Sequence, residues 1–189
     1  MNYWQEQFYI DILTKKALDS ITSPALDAVM VFITNMGAPI AFYILAAGGF
    51  LYLAYKQKLM EGILLVFCLF TSWGTMNLLK LLFMRSRPLG EQLAFAEGYS
   101  FPSGHATLAL VFYGFIIYLL LDDNKKGHNK ILAGLIAVLI LMIGISRVYL
   151  NVHYATDVLA GFMLGSILLA VFIFALRYYK KTTYNKIKN

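Results

Sequence analysis

Along most of this chain the apolar residues run on without alternating with polar ones. Four stretches, roughly 62–83, 103–121, 130–149 and 154–176, are apolar nearly all round a helix. That is the pattern of a helix surrounded by hydrocarbon, because a water-facing helix carries its apolar residues on one stripe. Each is close to the ~20 residues needed to cross a bilayer core. A fifth stretch, roughly 39–55, is shorter but strongly apolar and begins after the break Gly37-Ala38-Pro39. The first 36 residues follow another rule. Phe8, Ile10, Ile12 and Leu13 are mixed with charges, which predicts an amphipathic helix lying on the membrane surface. The run from Leu26 to Met36 is too short to cross alone. The expected fold is all-α: a polytopic transmembrane helix bundle of five spans plus the N-terminal amphipathic segment. The count becomes six if a tilted helix over about Ser20–Gly37 also crosses. No repeat or long linker divides the chain, so residues 1–189 are read as one integral-membrane domain, with 1–36 an interfacial or partly inserted segment. Glu6, Asp11, Lys15, Lys16 and Asp19 interrupt any signal-peptide core, so the spans themselves are expected to direct insertion.

Composition agrees with that reading. The chain is 60% hydrophobic and 14% charged, whereas a soluble domain is about half apolar and a quarter charged. The single cysteine, Cys68, lies in an apolar run; it rules out an intramolecular disulfide framework and reads as a packing or lipid-facing residue. The net charge of +6 forms no separate basic domain, so no nucleic-acid partner is expected. Membrane orientation explains it better.

Sorting the charges by loop gives that orientation. The segments Lys56–Glu61 and Asp122–Lys130 and the tail from Arg177 hold Lys56, Lys58, Lys125, Lys126, Lys130, Arg177, Lys180, Lys181, Lys186 and Lys188. These are ten of the 16 lysines and arginines, with only Glu61, Asp122 and Asp123 of the ten acids. The positive-inside tendency makes this face cytoplasmic. The opposite face keeps Lys15, Lys16, Lys80, Arg85, Arg87 and Arg147. Four of these sit at or beside span ends against the trend, which suggests an anionic ligand there.

Three clusters on that outer face carry candidate chemistry. Lys80 and Arg87-Pro88 end one span; seven residues is about two helical turns, so Lys80 and Arg87 share a face if the helix persists to Pro88. Taken alone, the cluster is equally what snorkelling cations at a span end look like. Pro102-Ser103-Gly104-His105 opens the next span. Ser103 is a candidate N-cap, and a helix N-terminus with free amides is a natural phosphate cradle; the plain alternative is a capped helix start beside an interfacial histidine. Ser146-Arg147 and His153 with Asp157 bridge the end of one span and the start of another. His153 and Asp157 are four apart and share a helix face, so the carboxylate could hold the ring and fix its tautomer. Alternatively, Asp157 is an aspartate favoured at a helix start.

Together, Lys-x6-Arg-Pro, Pro-Ser-Gly-His and Ser-Arg-x5-His-x3-Asp, in this order from Lys80 to Asp157, resemble the three-part signature of the type-2 phosphatidic acid phosphatase superfamily, with no departure at a motif position. The size and layout are most similar to its bacterial phosphatidylglycerophosphate phosphatase B and undecaprenyl pyrophosphate phosphatase branches. The resemblance implies a phosphatase acting on a membrane lipid phosphate or diphosphate, with no metal or cofactor. It assigns His153 as nucleophile, Asp157 as its orienting partner and His105 as general acid and then base. Lys80, Arg87, Arg147, Ser103 and the Gly104 amide would bind phosphate oxygens. The expected setting is a multi-pass plasma-membrane protein, in contact with membrane lipids, whose site opens on the extracytoplasmic face. Phosphatase activity on small soluble phosphomonoesters and non-catalytic anion transport are the rival functions. The specific lipid and the oligomeric state are not set by the sequence. His128 reads as a solvated loop residue, and Arg85, outside the signature, as a snorkelling cation. Trp4, Trp73, Tyr99, Tyr149 and Tyr154 read as interface anchors or packing. Glu97 and Tyr99 are candidates for a headgroup contact that no residue pattern demonstrates.

Overall fold

The computed structural model describes residues 7–122 and 127–188, all-helical with no strand among them. Trp4, Glu6, Asp123, Lys125, Lys126 and the side chains of His128 and Lys188 lie outside the described residues. Among the described residues seven helices follow one another: α1 (Tyr9–Asp19), α2 (Pro24–Asn35), α3 (Pro39–Tyr55), α4 (Leu59–Phe83), α5 (Gly104–Asp122), α6 (Gly127–Tyr149) and α7 (Ala155–Lys188). α4 to α7 are long and apolar enough to cross a membrane singly. α2 and α3 do so only as a pair, bent by 46° at the Gly37-Ala38-Pro39 break. The described residues thus hold four candidate spans, or five if α2 and α3 are taken together as one bent span, and α2, at 12 residues, is too short to make a sixth.

Helix starts follow local chemistry. Ser23 caps α2, its Oγ accepting from Leu26 N, and Pro24 occupies the first turn, where no amide hydrogen is needed. Pro39 does the same for α3. At the centre of the bundle α5 packs against α4, α6 and α7, burying Val111, Phe112 and Phe115. Lipid faces the remainder: Phe67, Phe70, Leu82, Leu135, Ile167 and Phe174 are exposed on the spanning helices. The start of α5 lies close against α7. A Cβ on Gly161 would come within 2.7 Å of the Ser103 carbonyl oxygen, so glycine there sets how near α7 stands to the N-terminus of α5.

The far end of α7 runs beyond the apolar core and turns its charge back onto the bundle. Lys180 pairs with Asp122 at 2.7 Å and with Glu61 at 3.3 Å. The 56–61 loop, the end of α5 and the tail are thus gathered at one end, as the charge sorting predicts. Cys68 is fully buried, its Sγ directed at the Leu65 carbonyl.

Candidate active site

At the other end of the bundle the three sequence clusters converge. α4 does not continue to Arg87. It stops at Phe83, where Met84 adopts a left-handed conformation (φ 46°) and its N–H closes onto the Lys80 carbonyl. The shared helix face expected for Lys80 and Arg87 is therefore absent, and folding of the following loop brings both to one cavity instead. Beyond the turn at Met84, two arginines only two residues apart take opposite directions. Arg87 faces the cavity while Arg85 points into the protein.

Lys80 Nζ donates to the carbonyls of Tyr99 and Ser100. Arg87 donates to the carbonyls of Gly98 (3.0 Å), Glu97 (2.6 Å) and Val152 (2.7 Å). Arg147, in the last turn of α6, donates to Thr34 Oγ1 at 2.7 Å. Glu97 and Tyr99 thus reach the site through backbone oxygens that anchor its cations. Among the described residues no carboxylate forms an ion pair with Lys80, Arg87 or Arg147. Neutral acceptors fix their positions without cancelling their charge. Burying a charge without a counter-ion costs several kcal/mol in order of magnitude, so an arrangement holding three of them favours an anion. Arg147 Nε and Ser103 Oγ are, in addition, buried with no hydrogen-bond partner. Both have donors to give to such a ligand.

His153 lies in the short turn between α6 and α7 and is almost fully buried. Burial pulls its imidazole well below the ordinary 6.5, to about 3, even though the Asp157 carboxylate acts in the opposite direction. The ring is therefore neutral at physiological pH. Ser100 Oγ stands between the two groups, donating to Asp157 Oδ2 at 2.5 Å and lying 3.1 Å from His153 Nδ1. Asp157 Oδ2 itself is 3.5 Å from Nδ1, too far for a good direct hydrogen bond. The carboxylate reaches the ring chiefly through the serine. With Ser100 donating to Asp157, its lone pair is available to a proton on Nδ1, and this network assigns the free lone pair to Nε2. Nε2 lies 3.4 Å from the Arg87 guanidinium, on the side of the cations. Asp157 also accepts from Tyr154 N at 3.0 Å. As the third residue of α7 it thus closes back on the residue before the helix, which locks the His153 turn to the helix start.

The cavity measures about 420 Å³ and is lined by Lys80, Arg87, Gly104, His105, Arg147 and His153, with the α2–α3 break forming one wall. Gly37 is needed at that break, since a Cβ there would meet His105 at 3.1 Å and Ile143 at 2.7 Å. Ser103 directly precedes α5, but its Oγ accepts from no amide of the first turn, so the expected side-chain cap is not formed; its carbonyl accepts from Thr107 N, and its N–H donates to the Asp157 carbonyl. The sequence-selected residues all meet at this one end. Among the described residues no group of three His, Cys, Asp or Glu side chains is spaced to hold a metal ion.

The expectation for Arg85 is also overturned. Arg85 is not a snorkelling cation at the surface; it is only 2% exposed. Its NH1 donates to Asp157 Oδ1 (2.6 Å) and Thr156 Oγ1 (2.7 Å), its NH2 to Asp11 Oδ2 (3.0 Å), and its plane lies over the Tyr154 ring at 4.1 Å. Two carboxylates make burial more favourable than exposure for this cation. Ser100, Asp11, Thr34 and Thr156 were likewise missed. An acid three residues after Phe8, in a stretch expected to lie on lipid, was the one available sign of Asp11. Nothing in a single sequence pairs residue 100 with 153.

Comparison with known proteins places this geometry. The sequence profile of the PAP2 superfamily matches residues 61–182. Phosphatidylglycerophosphatase B of Bacillus subtilis (strain 168) is 39% identical over 168 residues, covering 84% of this chain and 79% of that protein. A putative undecaprenyl-diphosphatase of Escherichia coli (strain K12) is 35% identical over 121 residues, covering 60% of this chain and 54% of that one. The crystal structure of a transmembrane PAP2-type phosphatidylglycerolphosphate phosphatase from Bacillus subtilis superposes with a TM-score of 0.78 at 33% identity, covering 89% of this chain and 85% of that chain. With the profile spanning well over half its length and its cationic, histidine-bearing cavity set at one end of a membrane bundle, this chain belongs to the PAP2 superfamily and is a membrane-embedded phosphatase.

Proposed function

We propose that the protein hydrolyses a membrane lipid phosphate or diphosphate through a phosphohistidine at His153, with phosphatidylglycerophosphate and undecaprenyl pyrophosphate the leading substrates. In the first step His153 Nε2 attacks phosphorus in line; the N–P bond forms as the bond to the lipid oxygen breaks, and His105 gives that oxygen a proton. In the second, His105 takes a proton from water, whose oxygen displaces the imidazole and releases inorganic phosphate. Asp157, through Ser100, holds the ring and stabilises its positive charge. Lys80, Arg87, Arg147, Ser103 and the Gly104 amide hold the non-bridging oxygens, where phosphoryl transfer draws most of its catalysis from positioning and charge. These three cations supply charge of the kind that magnesium supplies in kinases, so activity is expected to persist in EDTA. A loss restored by magnesium would remove this part of the mechanism.

The observation that carries the lipid reading is the apolar groove next to the cavity. Phe42, Tyr43, Leu69 and Phe70 line it, and it shares Pro39, Trp73 and Leu108 with the cationic cavity. Phosphate and hydrocarbon are thus offered adjoining surfaces. The names of the relatives point to the same substrate class. The test is kcat/KM across purified lipid phosphates in detergent micelles against glycerol phosphate and other soluble monoesters. Long-chain substrates should be preferred by about tenfold or more, since each buried methylene is worth roughly 0.8 kcal/mol. Equal values would favour the soluble-substrate reading, and binding without phosphate release would favour the transporter.

The loop and tail lysines support a cytoplasmic position for the opposite end and an extracytoplasmic position for the site. Cysteines placed at the exposed Leu89 or Phe95, in a Cys68→Ser background, should react with an impermeant thiol reagent in intact cells. One at Lys130 should react only after permeabilisation. The reverse pattern would put the site on the cytoplasmic leaflet.

A further inference from the structure

The N-terminal helix has a buried acid with no part in the mechanism above. α1 is short and its large apolar residues Phe8, Tyr9, Ile10, Ile12 and Leu13 are all substantially exposed, yet Asp11 among them is only 3% exposed. Its carboxylate oxygens are directed at the start of α7, at Arg85 and at its own helix start. Oδ1 accepts from Thr156 N (2.9 Å), and Oδ2 accepts from Thr156 Oγ1 (3.0 Å), Arg85 NH2 (3.0 Å) and Phe8 N (3.1 Å). Arg85 then passes the contact on, its NH1 reaching Asp157 Oδ1 at 2.6 Å. The resulting chain runs Asp11, Arg85, Asp157, Ser100, His153, and each member is buried. A pocket of about 90 Å³ lies behind His153, and Gln7, Asp11 and Lys15 form part of its wall, so α1 also covers the rear of the nucleophile.

We propose that Asp11 is a positioning residue for catalysis, acting on His153 through Arg85 and Asp157; this rests on the assignment of His153 and Asp157 above. One guanidinium shared by two carboxylates gives only part of its charge to each. Asp157 therefore keeps enough negative charge to stabilise the positive imidazole that forms when His153 attacks phosphorus. If Asp11 loses its charge, the whole of Arg85 falls on Asp157, and the carboxylate supports the imidazolium less well. By taking Oδ1 of Asp157, Arg85 NH1 also leaves Oδ2 for Ser100. This effect belongs to the transition state rather than to substrate binding, because Asp11 has no contact with the cavity. An interfacial helix thereby becomes a catalytic support as well as a membrane contact.

The test is Asp11→Asn, which keeps the shape and an acceptor for Thr156 N, assayed on a lipid phosphate beside His153→Ala and the surface control Asp19→Asn. Asp19 forms an exposed i,i+4 pair with Lys15 on the same helix. The expected result is a kcat lower by about 10- to 100-fold, as found for groups that orient a primary ligand, with KM little changed and the control at wild-type rate. In an Arg85→Lys background the same change should cost measurably less, since the coupling passes through the guanidinium. Should Asp11→Asn not fold, Asp11→Ser is read in its place with the same expectation. A folded neutral variant with wild-type kcat, a loss confined to KM, or a loss undiminished by Arg85→Lys overturns the proposal. If His153→Ala stays active, the assignment of the nucleophile itself fails, and that outcome is separate from the other three.

Discussion

The two ends of this bundle both gather charge and treat it in opposite ways. At the end formed by the 56–61 loop, Asp122 and the tail, Lys180 lies between two carboxylates and all three side chains keep some contact with solvent. At the other end Lys80, Arg87 and Arg147 are held by carbonyls and a hydroxyl. The first arrangement offsets the charge of its lysine with carboxylates and ties helix ends together; exposed pairs of that kind contribute at most about 1 kcal/mol. The second carries surplus positive charge in a cavity. The same contrast recurs two residues apart, where Arg85 forms ion pairs with Asp11 and Asp157 and Arg87 forms none with a carboxylate among the described residues. What separates a binding cation from a structural one is the charge of its partner, and neither burial nor position in the sequence reveals that by itself.

The sharpest break of this contrast is at the proposed nucleophile, where His153→Ala or His153→Gln should lower kcat by about 10⁴-fold or more, by analogy with loss of a nucleophile or base in other covalent mechanisms. Substantial turnover in the folded variants would end the histidine mechanism. Next come the cations. Arg147→Gln or Arg87→Gln should lower kcat/KM by about 10²- to 10³-fold, the usual loss for one charge-stabilising donor, while Lys180→Met leaves it unchanged. Equal effects at the two ends would erase the distinction drawn between them. Ser100→Ala interrupts the link from Asp157 to the ring and should lower kcat by about 10- to 100-fold, the scale for a partner that orients a primary group; an unaltered rate would mean that the carboxylate acts on the ring directly.

The smallest effect is on stability. His153 is held neutral, its folded value near 3 against the ordinary 6.5. Between those values the unfolded chain takes up a proton that the folded chain refuses. The stability associated with this residue is therefore complete above about pH 6.5 and declines as pH falls towards 3. Thermal unfolding in detergent should show a shallower acid slope for His153→Gln than for wild type. Identical slopes would mean that the ring is protonated in the folded state.

Spans and catalytic signature were legible in the sequence for a physical reason. A helix in hydrocarbon must be apolar all round, so 62–83 and 130–149 stand out, and the cations that interrupt this rule at span ends stand out equally. Legibility failed where contacts are made over long sequence separations by loop backbone. Ser100, the carbonyls of Glu97 and Tyr99, and the Thr34 hydroxyl carry no pattern of their own, because any residue offers a carbonyl and a hydroxyl is common. Arg85 was misread because a cation beside a span end looks the same whether it faces a headgroup or two buried acids, and one of those acids, Asp11, is 74 residues away. The break at Met84 was hidden for a related reason: Met is an ordinary helix former, and the left-handed turn there comes just before the buried Arg85, whose acid partners are remote in sequence.

The central claim is that phosphate passes through His153. Rapid quenching of the enzyme with a lipid carrying ³²P in its terminal phosphate tests this directly. The account predicts labelled protein within a single turnover, with the label stable to alkali and lost in acid, located on the peptide containing His153 and missing from His153→Ala. Inorganic phosphate released with no labelled protein at any quench time, together with inversion of configuration at a chiral phosphorus, would contradict it, since a single displacement by water inverts and two displacements retain.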